Sequence, residues 1–131
     1  MRSATKFISD LTIPLIAAGA VALSASSALA VGNAATGKRL FLAHCAVCHK
    51  RDASGGVSLG DTKSADLQSP GLENQYHHDD KLMERAIMDG IDEEGGPLDT
   101  IMPRWGKVAN KLSLAQVDDI IAYLKTVKTK D

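Results

Sequence analysis

Between Val31 and Asp131 the apolar residues recur at three- and four-residue spacing in three places, and no run alternates as a strand would, which predicts an all-α chain. The first helix is expected over Thr36 to Ala46, where Leu40, Phe41 and His44 share a face and Gly37 allows another element to cross closely. A second starts at Asp79 or Asp80, whose carboxylates suit an N-cap, and stops at Gly90 after Asp89; Leu82, Met83, Ala86 and Ile87 form its apolar face. The third is the best signalled. Ser113 and Gln116 make an S-x-x-Q capping box, and Leu112 and Val117 occupy the two positions of a hydrophobic staple. Leu114, Val117, Ile120, Ile121 and Leu124 then repeat at helical spacing, with Lys125 and Lys128 where the helix dipole favours cations. Lys50 to Tyr76, punctuated by Gly55, Gly56, Gly60, Pro70 and Gly71, reads as loop with a short turn. The architecture expected is three or four helices joined by long loops, and such loops in a small domain need something to pack against.

The first 30 residues follow a different pattern. Arg2 and Lys6 precede a 13-residue apolar stretch, Leu11 to Leu23, and a small, polar segment ends in Ala28, Leu29 and Ala30. This is the layout of a secretory signal peptide cleaved after Ala30, leaving residues 31–131 as the working domain. An uncleaved anchor is the alternative, because Leu11 to Val31 is just long enough to span a bilayer; Pro14, the serines and the A-x-A site favour cleavage. Either way the domain is exported, and a periplasmic location is expected.

Composition then narrows the class. The chain has 131 residues, 44% hydrophobic and 24% charged, with a formal net charge of −1, which is the range of an ordinary globular protein. Arg2, Lys6 and Asp10 leave with the leader, so the remaining 101 residues carry 13 Lys and Arg against 15 Asp and Glu. That balance excludes a generally basic nucleic-acid binder. The same 101 residues hold only Phe41, Tyr76, Trp105 and Tyr123 as aromatics, so something else has to fill the core.

The only two cysteines lie in Cys45-Ala46-Val47-Cys48-His49, the C-x-x-C-H signature of covalent c-type haem attachment. On a helical turn, residues three and four apart share a face, so both thiols reach the two vinyl groups of one porphyrin while the imidazole comes under the iron. A zinc site would need four ligands at finger spacing, a thioredoxin-like pair a βαβ setting, and a plain disulfide leaves His49 unexplained. The second axial ligand decides the chemistry, because a strong protein ligand restricts the iron to electron transfer and an open position admits gas or peroxide. Met102 is the candidate: it follows a loop broken by Gly95, Gly96 and Pro97, precedes Pro103, and lies 53 residues after His49. His44, His77 and His78 compete for that position; Met83 and Met88 fall on the second helix as packing or surface residues.

In these residues the sequence resembles the class I monohaem cytochromes c, over most of Gly37 to Val127. The resemblance rests on Gly37 and Phe41, on Cys45, Cys48 and His49, on Met102-Pro103, and on Tyr123 and Leu124. It implies a cytochrome c-like all-α shell wrapped around one covalent haem c, which would supply the missing core. It implies that the first and last helices cross with Gly37 and Phe41 against Tyr123. It implies His49 and Met102 as the iron ligands. Family members often carry a Gly-Pro after the haem motif whose carbonyl fixes the proximal imidazole; Gly55 to Gln68 contains no proline, so a carbonyl in the Ser58 to Asp61 region is expected instead. Arg104 or the Trp105 indole is a candidate propionate contact. Asp89, Asp92, Glu93, Glu94 and Asp99 form an acidic run, either a docking patch for a basic partner or a solvated loop.

The expected function is an exported carrier that passes single electrons between redox proteins, such as a membrane-bound oxidase or reductase or a periplasmic dehydrogenase, with no organic substrate and no nucleic acid. A haem-based ligand sensor with a labile sixth site, or the haem subunit of a larger oxidoreductase, are the alternatives. No acid/base pair, nucleophile or phosphate loop is visible, so catalysis by this chain alone is not expected.

Overall fold

The structure is a computed structural model and describes residues 32–130; the expected leader lies outside the described residues. Five helices occur there: α1 (Ala34–His44), α2 (Ala46–His49), α3 (Gly71–Gln75), α4 (Asp80–Asp89) and α5 (Leu114–Leu124). Two are single turns in segments expected to be loop or helix end, which is why the count exceeds three or four. A hairpin of two-residue strands, β1 (Ser58–Leu59) and β2 (Thr62–Lys63), is too short for alternation to register in the sequence.

α1 begins two residues earlier than its apolar pattern predicts, because the Asn33 side chain accepts from the Thr36 N–H and caps it. It ends at His44, and Cys45 links it to α2 without leaving the right-handed helical region. α4 has the expected ends: Asp79 caps the Lys81 N–H, and Gly90 stops it in the left-handed conformation at φ 68°. α5 carries both halves of its capping box between Ser113 and Gln116, and the staple residues Leu112 and Val117 are buried. Leu114 departs from its expected place on the apolar face and is half exposed, since the first turn of α5 projects beyond the core.

The core forms where α1 meets α5. Gly37 lies directly on the α5 backbone, where any side chain would run into the Asp119 carbonyl. Phe41, fully buried, meets Tyr123 with ring centroids 5.4 Å apart and planes tilted by 52°, a favourable aromatic geometry. Asp119 also accepts from the Asn33 N–H at 2.6 Å, so the crossing is tied at its amino-terminal end. α4 packs on α5 from another side, leaving space between the helices rather than a filled centre. Among the described residues no helix is long and apolar enough to cross a membrane.

Candidate functional site

That space is an apolar cavity of about 450 Å³, walled by residues from all five helices and the two long loops. Cys45, Cys48, His49 and Met102, drawn from opposite halves of the sequence, all line it. Cys45 stands at the junction of α1 and α2, and its carbonyl accepts from the N–H groups of Cys48 (3.2 Å) and His49 (2.9 Å), which winds the motif into one turn. The two cysteines are not joined to each other. Burial pushes the Cys45 thiol up to about 12, with Cys48 adding to the effect, so it stays a thiol instead of a metal-ready thiolate. Among the described residues no three His, Cys, Asp or Glu side chains converge on one point.

His49 is buried, and its Nδ1 lies 2.9 Å from the Ala65 carbonyl. A carbonyl can only accept, so Nδ1 carries the proton and Nε2 keeps its lone pair for a ligand. The acceptor is therefore Ala65 and not a carbonyl in Ser58 to Asp61. The reason is local: that stretch is consumed by the hairpin, whose neighbours pair Gly56 N–H with Ser64 O (2.8 Å) and Ser64 N–H with Val57 O (3.0 Å), delivering Ala65 back to the imidazole. Gly55 permits the approach. At φ 61° it occupies a conformation that favours glycine, and a Cβ there would strike the Ala65 carbonyl.

Met102 lies in the loop between α4 and α5, half buried at the cavity wall. Its loop is tied to the end of α4: Leu98 N–H donates to Gly90 O (2.8 Å), and Trp105 and Gly106 donate to Ile87 O and Met88 O (3.0 Å each). These take up carbonyls that a helix end leaves free. Met83, placed by its sequence on a packing face, also reaches the cavity from α4; the pattern signalled its burial but not that its neighbour would be a cavity. His44 lines the wall and meets Trp105 edge-on at 5.3 Å, whereas His77 and His78 are exposed and away from it.

Arg104 and Trp105 part company. Trp105 lines the cavity, but the Arg104 guanidinium turns to the carbonyls of Leu98, Asp99 and Met102. Most of the acidic run is also spent locally. Asp89 pairs with Lys107 (3.2 Å), Asp92 accepts from the Glu94 and Gly96 N–H groups, Glu93 accepts from Gln75, and Asp99 from the Ile101 N–H.

An apolar cavity open at one edge, two free cysteines and an imidazole with its lone pair unspent are the donor set and volume that a covalently attached haem requires. The family model for cytochrome c matches residues 34–128. The chain belongs to the cytochrome c family. Neither the curated proteins nor the solved structures returned a match. Membership brings haem c, covalently bound and containing iron, and Cys45 and Cys48 stand at the spacing it needs. It also marks this cytochrome c domain as one for haem-based electron transfer.

Proposed function

We propose that the chain is an exported monohaem cytochrome c that passes single electrons between redox proteins, held in a low-spin state by His49 and Met102. When bound, the haem supplies one-electron exchange at its iron. Cys45 and Cys48 would hold the porphyrin, and His49 would offer Nε2 while Ala65 fixes its ring through Nδ1. Met102 would offer its thioether, a ligand that raises the reduction potential. The apolar walls exclude water from the site. Val47 (83% exposed) and Ile101 (50% exposed) carry the wall out to solvent, where a partner's own cofactor can approach. Residues 1–30 serve as the export signal in this reading, and the partners are a donor and an acceptor in the periplasm or its membrane.

The observation that carries the proposal is the convergence of His49 and Met102 on one apolar cavity that also holds both cysteines. Visible spectra of the loaded protein test it. The parent should show a low-spin spectrum with a methionine-to-iron charge-transfer band, Met102→Ala should lose the band and bind carbon monoxide rapidly when reduced, and Met83→Ala should keep it. A band that survives Met102→Ala, or rapid carbon monoxide binding by the parent, would refute the assignment and favour a sensor with a labile sixth site.

A further inference from the structure

We propose that Arg104 is the positioning residue for Met102, fixing the distal loop from within so that the thioether stays at the cavity wall. The inference rests on the ligation proposed above. The loop's two ends are anchored to α4 by backbone bonds, at Gly90 on one side and at Ile87 and Met88 on the other. Between those anchors, residues 98–104 have few ties of their own: Met102 N–H to Asp99 O (3.1 Å) and Ile101 N–H to the Asp99 carboxylate (3.0 Å). Arg104 adds three. Its Nη2 donates to Leu98 O (3.2 Å), and its Nη1 donates to Asp99 O (3.3 Å) and to Met102 O itself (3.1 Å).

One side chain therefore grips the start of the loop, its turn and the residue that presents the sulfur. The planar, multi-donor guanidinium suits this, whereas an ammonium is a point charge on a flexible stem. No carboxylate pairs with Arg104 among the described residues, so its charge is directed at carbonyl oxygens. The seat for the guanidinium is also built. It lies over Gly90, where a Cβ would come within 2.7 Å of Nε, so the glycine that stops α4 also leaves room for the clamp.

Outer partners of metal ligands typically carry about 10–100-fold in affinity or activity. Loaded Arg104→Gln and Arg104→Lys proteins should therefore lose most of the methionine-to-iron band and, when reduced, bind carbon monoxide about tenfold faster or more than the parent. Hydrogen exchange at the Met102 amide should accelerate by a similar factor. Val117→Ala, a core change away from the loop, should melt at a lower temperature yet keep the band and the slow carbon monoxide reaction. Arg104 variants with the parent's band, carbon monoxide rate and Met102 exchange would overturn the proposal. If the parent itself lacks the band, the Met102 ligation fails on its own, and the exchange rate at Met102 still decides whether Arg104 holds the loop.

Discussion

Replacing Gly55 by alanine probes the support of the proximal imidazole without touching the imidazole. A residue with a Cβ costs roughly 1–2 kcal/mol in the left-handed region, and Gly55 sits there at φ 61°. Its Cβ would also displace the Ala65 carbonyl, weakening a bond to His49 Nδ1 that is worth about 0.5–1.5 kcal/mol net. The total expected loss of stability is about 1.5–3.5 kcal/mol. Gly56 provides the control, because it has a similar φ of 75° and its Cβ would meet only the Lys50 Nζ at 3.8 Å. Gly56→Ala should show the backbone cost alone. Hydrogen bonding at Nδ1 makes the imidazole a stronger donor and favours the oxidised iron, so weakening it raises the potential. A differential of about 1 kcal/mol, the size of one net hydrogen bond, corresponds to about 40 mV for one electron. Redox titration and denaturant unfolding of both loaded variants give the two numbers. A Gly55→Ala potential equal to that of Gly56→Ala would refute the idea that the Ala65 carbonyl tunes His49.

Two other outcomes test the frame around the site. Phe41→Ala removes a fully buried ring from the α1–α5 crossing, where it also lines the cavity, and should lower stability by about 3–5 kcal/mol in chemical denaturation. Glu73 controls an acid-sensitive tie. The Ser69 hydroxyl first, then Lys128 and His78, hold its carboxyl below the usual glutamate range against the opposing effect of burial. A carboxyl lowered in the folded state stabilises fully above the ordinary glutamate pKa, and that contribution fades as pH falls through the lowered value. Thermal melts below the ordinary glutamate range should therefore show a steeper acid loss in the parent than in Glu73→Gln, and parallel curves would remove Glu73 from the account.

How far the sequence could be read depended on whether a signal was carried by a side chain. Asp79, Gly90, Ser113 and Gln116 bound their helices as expected because capping is a local side-chain event. Cys45, Cys48, His49 and Met102, which all line the cavity, stand out in the sequence for a similar reason: the chemistry of thiols, imidazole and thioether restricts which residue types are candidates. The acceptor for His49 was not legible. It is a backbone carbonyl, which every residue possesses, and its place at Ala65 depends on a hairpin too short to leave a pattern. The end of α2 was hidden in the same way, since Lys50 turns the chain at φ 62° with no glycine or proline to announce it. The carbonyl contacts of Arg104 were not legible either. Its charge invited a reading towards an anion, whereas the fold surrounds it with carbonyl oxygens.

The two sides of the cavity are each supported by contacts close along the chain. His49 is held within one continuous stretch, by an acceptor 16 residues away, and Gly55 and Ser64 belong to the same stretch. Met102 sits in a loop docked onto α4 by equally local bonds, from the Leu98 N–H to Gly90 O and from the Trp105 and Gly106 N–H groups to Ile87 and Met88 O. Short loops close sooner and at smaller entropic cost than long ones. Each half of the site thus carries its own support at short range, and what folding must bring together over a long distance is the pair of halves, His49 and Met102 being 53 residues apart. A change in residues 53–67 should then loosen the proximal side and one in residues 98–106 the distal side, each leaving the other's local bonds in place.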